Sequence, residues 1–413
     1  MTVSIDLRQV VYALADALDL VGVDETAHGK RVGYMAFKCA EMMGKDKQGR
    51  ERLFHIGMLH DCGVSSTEEH THLVEEMVWE GADAHSAIGA TLLESFSYFH
   101  DYAQVVRYHH TPWESLAECD VDPEIARDAN LIFMVDRVDA LSAVHYGKDL
   151  LQQTGNIRKA IQEYAGTLFS PDLVDLFVQV SHSEAFWMML EPPHLQRFLF
   201  DMERFTTPQP VSFDKLKQLA RIFATIVDAK SHFTFEHSVG VSRLARHLAE
   251  RSSLASDTCE RIEVAGLLHD LGKLRVPDQV LDKPGPLDAD DKLLLHRHSF
   301  ETYQVLREIK GIEDIALWAA YHHEAPNGQG YPFRRTGEEL TREARIIAVA
   351  DVFQALAQDR PYRAAMALQK ILEVIGEMAE SGQLDADLVE LVKAEPEVCL
   401  KLAVSISEEI SPE

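Results

Sequence analysis

The chain has 413 residues, of which 46% are hydrophobic and 26% charged, as is typical of a folded protein long enough for two domains. Its formal net charge of −27 disfavours polymeric nucleic acid as a partner, because that binding relies on Lys and Arg neutralising phosphates. Five scattered cysteines argue against a disulfide framework or a Cys-based zinc site.

The first twenty residues lack the basic and apolar regions of a secretory signal. No apolar run approaches the roughly 20 residues needed to span a membrane. We therefore expect a cytoplasmic protein without a membrane partner.

The hydrophobic pattern has the period of an α-helix, and alternating strand patterns are hard to find. The clearest helical segments are RLFHIGMLH (52–60), FDKLKQLARIFATIVDA (213–229), RIEVAGLLHD (261–270), ARIIAVADVFQALA (344–357) and KILEVIGEMAE (370–380). An all-α fold is predicted.

Turn-forming residues concentrate in three segments, TTPQPVS (206–212), LDKPGPLD (281–288) and EAPNGQGYPF (324–333). We place the domain boundary in the first of them. The predicted organisation is a first domain, a helical connector with a linker, a second domain and a tail, at residues 1–150, 151–210, 211–400 and 401–413.

The two halves carry histidines at the same spacing. HDCG (60–63) matches HDLG (269–272), and each follows an earlier histidine by 32 residues. A later histidine precedes a His-His pair by 24 residues in both halves, and an Asp-x-x-x-Ala-Leu motif follows each pair. The chain is interpreted as a tandem duplication. The matched residues are His28, His60, Asp61, His85, His109, His110 and Asp136 in the first half, and His237, His269, Asp270, His298, His322, His323 and Asp351 in the second.

Five imidazoles and two carboxylates are ligands that suit Fe, Mn, Co, Ni or Zn, and seven donors are too many for one ion. Two ions that share a bridging carboxylate are therefore the economical interpretation. One buried histidine alone is more often a hydrogen-bonded core residue than a ligand. The repeated set favours metal in the second half. Lys273 lies one turn beyond Asp270, where its ammonium could meet a phosphate oxygen.

The second half resembles an HD-GYP domain, the subfamily of HD metal-dependent phosphohydrolases that cleaves cyclic dinucleotides. The resemblance covers residues 228–363 and is carried by FTFEHS, HDLGKLRVPDQVLDKPGPL, HSFETYQVL, HHEAPNGQGYP and RIIAVADVFQALAQDRPYR. It implies a helical bundle that hydrolyses cyclic di-GMP, 3′,3′-cyclic GMP-AMP or both to a linear dinucleotide, with further cleavage to mononucleotides left open. The family expectation for the metals is Fe or Mn.

The resemblance also implies roles for individual residues. One metal would bind His237, His269, Asp270 and Asp351, and the second His298, His322 and His323, with Asp270 bridging them. A hydroxide between the metals would attack phosphorus in line with the leaving oxygen. Asp270 and Lys273 are the expected catalytic residues. The expected substrate-binding residues are Lys273, Tyr331, Arg360 and Arg363.

Three positions depart from the family pattern. Asn327 and Gln354 stand where the family usually has Asp, and we expect altered geometry rather than lost activity. Phe233 stands where some members carry a Glu that binds a third metal, so two metals are predicted.

The first half resembles a bare HD domain. Its seven matched ligands are complete, but Val64 replaces the lysine, and neither a GYP turn nor a DRPYR segment is present. A metal site without turnover, a sensor, a dimerisation platform, an independent phosphohydrolase and a hydrogen-bonded polar core are the alternatives. Asp24 could add a carboxylate, although a solvated acid at a helix start is its more ordinary role.

Two other functions compete with the cyclic dinucleotide phosphodiesterase. A general HD-type nucleotide phosphohydrolase is disfavoured by the GYP turn, Arg360 and Arg363. A non-catalytic cyclic dinucleotide receptor is disfavoured by the complete ligand set and Lys273. Candidate partners besides the cyclic dinucleotide are a second copy of the chain, in a homodimer, and signalling proteins.

Overall fold

A computed structural model describes residues 2–21, 27–64, 66, 69, 72–73, 76–79, 81–203, 208–230, 237–359 and 364–404. Four residues singled out above, Asp24, Phe233, Arg360 and Arg363, lie outside these ranges. The described chain is helical apart from one two-stranded sheet, so the all-α prediction is confirmed. No helix in these ranges is long and apolar enough to cross a membrane.

The chain divides into two compact units. Asp6–Pro208 form what we call the N-terminal unit, and Gln209–Glu413 with Met1–Ile5 form the C-terminal unit. Strand β1 (Thr2–Ile5) pairs antiparallel with strand β2 (Gln209–Ser212), with Val3 opposite Val211. This backbone pairing places the first residues of the chain with the second unit, whereas the sequence analysis assigned them to the first domain.

Helices of the N-terminal unit begin where short polar side chains can accept backbone N–H groups. Asp46 accepts from the N–H of Gly49 at 2.8 Å, and Asp122 accepts from that of Glu124 at 2.8 Å. The expected connector, residues 151–210, contributes helices to this unit. The helices are α1 (Leu7–Leu18), α2 (His28–Met42), α3 (Lys47–Leu59), α4 (Ala82–Glu94), α5 (His100–Arg107), α6 (Trp113–Leu116), α7 (Pro123–Ser142), α8 (Leu150–Glu163), α9 (Pro171–Val180), α10 (Glu184–Met188) and α11 (Pro192–Glu203).

The C-terminal unit follows the same principles. The apolar stripe predicted between Phe213 and Val227 is buried along one helix. Asp288 and Asp291 form a capping box at the start of another. The helices are α12 (Phe213–Lys230), α13 (His237–Arg251), α14 (Ser256–Leu268), α15 (Asp278–Leu281), α16 (Ala289–Leu306), α17 (Glu313–Ala320), α18 (Arg342–Ala357), α19 (Leu368–Glu380), α20 (Ala386–Ala394) and α21 (Pro396–Val404).

The duplicated residues occupy equivalent elements in the two units. The first histidine of each set begins a helix, α2 or α13, and the His-Asp dipeptide directly follows the next helix, α3 or α14. The next histidine lies within α4 or α16, the His-His pair follows α5 or α17, and the last aspartate lies within α7 or α18. The sequence repeat is therefore also a repeat of helices.

A glycine brings the first two of these helices together in each unit. A Cβ atom at Gly57 would lie 2.7 Å from the Cα of Gly33, and one at Gly266 would lie 2.8 Å from the Cα of Ser242. Both distances are too short for any side chain. The glycines stand three residues before His60 and His269, so the close crossing lies directly beside the predicted ligands.

Candidate metal centre

The first group of donor atoms in the C-terminal unit lies between α13, α14 and α18. His237 Nε2 is 3.2 Å from His269 Nε2, 3.3 Å from Asp270 Oδ2 and 3.3 Å from Asp351 Oδ1. Donors bonded to one ion at about 2.0–2.2 Å are separated by about 3.0–3.5 Å. The four side chains are therefore spaced as ligands of a single metal would be.

The second group lies between α16 and the end of α17. His298 Nε2 is 3.1 Å from His322 Nε2, and Asp270 Oδ1 is 3.6 Å from the first and 3.8 Å from the second. His323 belongs to the same cluster of possible ligands. Asp270 thus directs one carboxylate oxygen to each group, as a bridging ligand would. Its Oδ1 is buried and has no hydrogen-bond partner among the described residues.

Backbone carbonyls orient the imidazoles. The Nδ1 atoms of His269, His298 and His322 lie 2.7, 2.5 and 2.6 Å from carbonyl oxygens three residues earlier. A carbonyl only accepts hydrogen bonds, so Nδ1 must carry the proton and Nε2 must present its lone pair to the centre. For His269 the acceptor is Gly266 O, so this glycine both permits the helix crossing and orients a ligand.

The electrostatics of the centre favour a cation. Burial opposes ionisation of Asp270, but the charges of His269 and Lys273 outweigh it and hold its pKa well below the usual range. Burial also opposes the imidazolium form of His237, yet hydrogen bonding to Asp270 and Asp351 raises its pKa to about 9. The first group therefore combines ionised carboxylates with a histidine whose positively charged form these carboxylates stabilise.

The second group has the opposite character. Burial lowers the pKa of His298 to about 3 and that of His323 to about 4, and it lowers the pKa of His322 well below its usual value. Neutral imidazole is the form that binds metals. These three side chains are thus in their ligating form at neutral pH.

Two predicted substrate residues lie beside the centre. Lys273, in a 3₁₀ turn that spans Leu271–Arg275, places its Nζ 2.5 Å from Asp270 Oδ2. The ring of Tyr331 lies 4.8 Å from that of His323 and is stacked on His296 at 3.7 Å. The structure thus brings together all seven predicted ligands, Lys273 and Tyr331. Arg360 and Arg363 lie outside the described residues.

The role of Glu324 was not predicted from the sequence. This buried carboxylate accepts from the backbone N–H groups of Phe333 at 2.7 Å and Arg335 at 2.8 Å, which closes the glycine-rich loop. A Cβ atom at Gly330 would lie 2.4 Å from the Cα of Glu324, so only glycine fits there. The signal that could have identified it is the acid directly after the His-His pair. Through this loop Glu324 positions Tyr331.

Asn327 has a structural reason to differ from the family's Asp. Its side-chain Nδ2 donates to Ser381 O at 2.9 Å, while its Oδ1 accepts from the N–H of Gln329 at 3.0 Å. A carboxylate could make only the second of these bonds. The residue therefore ties the glycine-rich loop to the turn that follows α19.

Gln354, the other residue that departs from the family pattern, contacts Nδ1 of the predicted ligand His237, on the side of the ring opposite Nε2. Its Oε1 lies 2.5 Å from His237 Nδ1, and its Nε2 donates to Gln358 Oε1 at 3.1 Å. An amide oxygen accepts the Nδ1–H of the histidine and leaves Nε2 free to bind metal. Gln354 is thus a positioning residue, whereas only altered geometry was expected at this position from the sequence.

The N-terminal unit contains the same arrangement. Asp61 Oδ2 is 3.5 Å from His28 Nε2 and 3.2 Å from His60 Nε2, and Asp61 Oδ1 is 3.5 Å from His85 Nε2 and 3.6 Å from His109 Nε2. Asp61 therefore faces two groups of imidazoles, as Asp270 does. The predicted seven residues form two clusters that could hold metal, His28 with His60 and Asp136, and Asp61 with His85, His109 and His110.

The surroundings of this N-terminal centre differ. Val64 is buried at the position that matches Lys273. Arg137 pairs with Asp136 through Nη2 and Oδ2 at 2.7 Å, and the position that matches it in the other unit is Val352. Arg137 was not among the residues predicted from the sequence. Its pairing with a predicted ligand shows that one carboxylate oxygen of Asp136 already has a cationic partner.

Comparison with known proteins agrees with two HD-type units. The HD domain family matches residues 26–143, and a second HD domain family matches residues 221–388. The 3′3′-cGAMP-specific phosphodiesterase 1 of Vibrio cholerae is 34% identical to this chain, over 98% of this chain and 95% of that protein. The chain belongs to the HD-GYP family.

One further relative matches this HD-GYP protein over a shorter stretch, and one solved structure matches it over its whole length. The cyclic di-GMP phosphodiesterase response regulator RpfG of Xanthomonas campestris is 40% identical over 35% of this chain and 38% of its own length. The crystal structure of a cyclic GMP-AMP-specific phosphodiesterase of V. cholerae, V-cGAP3, superposes with a TM-score of 0.64 at 21% identity and covers all of both chains. The predicted fold of two tandem HD domains is confirmed.

Proposed function

We propose that this HD-GYP protein is a metal-dependent phosphodiesterase that hydrolyses a cyclic dinucleotide at its C-terminal centre. The observation that carries the proposal is Asp270, whose two oxygens face separate groups of imidazoles at 3.2–3.8 Å. This geometry suits a pair of metals with a shared carboxylate. The relative that aligns over nearly the whole chain is named for 3′3′-cGAMP, and shorter matches are named for cyclic di-GMP. We favour 3′3′-cyclic GMP-AMP as the main substrate.

The residues fit a pair of divalent transition metals, with Fe or Mn as the family expectation. Bound to His237, His269, Asp270 and Asp351 on one side and to His298, His322 and His323 on the other, the metals would supply an activated water and would neutralise charge on the phosphoryl oxygens. Asp270 would be the ligand that the two groups share.

The protein's own side chains would place the substrate. Lys273 lies beside Asp270 and is partly exposed, so its ammonium can donate to a non-bridging phosphate oxygen. This local positive charge matters because the whole chain carries a formal charge of −27, which repels an anionic ligand. Tyr331, held by the loop that Glu324 closes, forms the wall beside the second ligand group. The product would be a linear dinucleotide.

The test is turnover by the full chain after anaerobic purification, with Mn²⁺ or Fe²⁺ added. We expect 3′3′-cyclic GMP-AMP to be cleaved faster than cyclic di-GMP, and dGTP to remain intact when products are separated by chromatography. Release of phosphate from dGTP would instead indicate a general nucleotide phosphohydrolase. Tight binding of a cyclic dinucleotide without turnover, unchanged in Asp270→Ala, would indicate a receptor.

We further propose that the N-terminal centre binds metal but does not cleave cyclic dinucleotides. Two observations favour metal. Asp61 lies between two groups of imidazoles. Burial opposes ionisation of this carboxylate, but His60 and His109 hold its pKa well below the usual range. Against turnover are Val64 in place of a lysine and the absence of a GYP turn after the His-His pair. Metal analysis of Asp61→Ala beside Asp270→Ala tests this: each variant should lose part of the bound metal.

A further inference from the structure

A row of hydrogen-bonding groups connects His237 to the last turn of helix α21. Gln354, only 2% exposed, receives the Nδ1–H of His237 on its Oε1 at 2.5 Å. Its Nε2 lies 3.4 Å from the backbone oxygen of Ala403, near the end of α21. Both ends of one amide are therefore used, one by a predicted metal ligand and the other by the C-terminal helix.

A glycine makes this approach possible. Gly240 lies one turn after His237 on α13, and a Cβ atom at this position would lie 2.3 Å from Ala403 O. No side chain can occupy that space unless the end of α21 moves. Helix α21 packs against both α13 and α18, the helices that carry His237 and Gln354. The position of α21 and the orientation of Gln354 are thus linked.

In the N-terminal unit, two charged residues occupy the positions that match Gly240 and Gln354. Arg31 stands at the position that matches Gly240, and Asp139 at the position that matches Gln354. Arg31 Nε donates to Asp139 Oδ1 at 2.7 Å, and Asp139 Oδ2 lies 2.8 Å from His28 Nδ1. The arginine and aspartate of one unit are replaced together by a glycine and an amide in the other. This joint replacement indicates that the two residues of each pair act together on the histidine.

The two pairs differ in the chemical group that faces Nδ1 of the histidine. A carboxylate presents an acceptor whichever oxygen faces the histidine, whereas an amide presents either an acceptor or a donor. If Gln354 turned its NH₂ toward His237, Nδ1 would have to accept, and the proton would move to Nε2. That tautomer cannot bind a metal through Nε2.

We propose that helix α21 is part of the C-terminal metal centre, because the carbonyl of Ala403 fixes the orientation of Gln354 and thereby the metal-binding tautomer of His237. Gln358 Oε1 accepts from the same NH₂ group at 3.1 Å and supports this orientation. Gln354 and Gly240 are positioning residues, not ligands. The inference rests on the proposed metal site but not on the proposed substrate.

The experiment is a Mn²⁺ titration of the full chain, followed by calorimetry and by the electron paramagnetic resonance of free Mn²⁺. We expect Gly240→Ala and Gln354→Leu each to weaken one class of Mn²⁺ sites by about 10- to 100-fold, the usual effect of removing such a partner. The remaining Mn²⁺ sites should be unchanged. Gly376→Ala is the matched control, because a Cβ atom there makes only ordinary contacts with Lys393.

A rescue variant separates positioning from a loss of packing. In Gly240→Ala/Gln354→Glu the carboxylate accepts from His237 in any orientation, so Mn²⁺ affinity should return to within a few-fold of the unmodified protein. Circular dichroism checks that each variant is folded. Affinity in Gly240→Ala and Gln354→Leu equal to that of the unmodified protein would overturn the inference, and so would a double variant as weak as Gly240→Ala. If cyclic dinucleotides are not cleaved but these Mn²⁺ effects appear, the inference stands and the proposed substrate fails.

Discussion

The two centres have matching predicted ligands and different neighbours. In both units one aspartate, Asp61 or Asp270, directs its oxygens to two groups of imidazoles. The C-terminal centre adds Lys273 and a loop closed by Glu324, whereas the N-terminal centre has Val64 in place of the lysine. A shared ligand geometry therefore does not imply a shared reaction.

The difference separates two requirements of the site. Holding metal needs converging imidazoles and carboxylates, which both units supply from helix ends and from positions within helices. Handling a phosphodiester also needs positive charge that the metals do not already use, and this differs between the units. Both cations pair with a predicted ligand, since Arg137 Nη2 lies 2.7 Å from Asp136 Oδ2 and Lys273 Nζ lies 2.5 Å from Asp270 Oδ2. They differ in exposure, because the side chain of Arg137 is only 4% exposed and that of Lys273 is 19% exposed.

The largest expected effect comes from removing the bridging carboxylates one at a time. Asp270→Ala should lower the turnover of 3′3′-cyclic GMP-AMP at least about 1,000-fold, equal to about 4 kcal/mol of transition-state stabilisation, because neither metal would keep its shared ligand. Asp61→Ala should retain most of the turnover. Initial rates measured by chromatography, with metal content determined on the same samples, provide the comparison.

The reverse pattern would contradict the assignment of turnover to the C-terminal centre. If Asp61→Ala abolished turnover while Asp270→Ala retained it, the reaction would belong to the N-terminal centre. Equal losses in both variants, with both folded by circular dichroism, would contradict the assignment of turnover to one centre alone.

The next effect concerns the lysine that distinguishes the two units. Lys273→Ala should reduce kcat/KM about 100- to 1,000-fold, about 2.7–4 kcal/mol, since it removes a preorganised cation beside the reacting phosphate. Metal content should be unchanged, because Lys273 is not a ligand. As a control, Lys292→Ala removes an exposed lysine from α16 and should have little effect. Loss of metal in Lys273→Ala would mean that the lysine supports the ligands rather than the substrate.

A smaller effect is expected from the loop that only the C-terminal centre possesses. Glu324→Gln leaves one of the two backbone N–H groups, of Phe333 or Arg335, without its acceptor, which costs about 1–3 kcal/mol of local stability. Amide exchange of a peptide that covers residues 331–337 should accelerate on the order of 10- to 100-fold. KM should also rise, because the loop holds Tyr331. Glu338→Gln, an exposed neighbour, serves as the control. Unchanged exchange would show that Glu324 does not close the loop.

Sequence alone could predict the helices and the grouping of the candidate ligands, because both leave local signals: a period of 3.6 residues and a repeated spacing of histidines. It could not predict contacts between residues far apart in the chain. Neither the pairing of Val3 with Val211 nor the approach of Ala403 to Gly240 has a local pattern, since both depend on tertiary packing. The role of Glu324 was hidden for a related reason. Its partners are backbone N–H groups, which every residue but proline carries.

The smallest effect is expected from restoring the family residue at Asn327. Asn327→Asp keeps an acceptor for the N–H of Gln329 but replaces the donor to Ser381 O with a second acceptor, so two oxygens would face each other. This position is exposed, so the expected loss is only about 0.5–1 kcal/mol, and turnover should stay within about twofold. Gln329→Glu adds the same charge to the loop and does not alter the Ser381 contact. Amide exchange of residues 378–384 should therefore accelerate in Asn327→Asp and not in Gln329→Glu. Equal exchange in the two variants would attribute the effect to charge alone, and slower exchange in Asn327→Asp would contradict the role of the amide as a tie between the loop and the turn after α19.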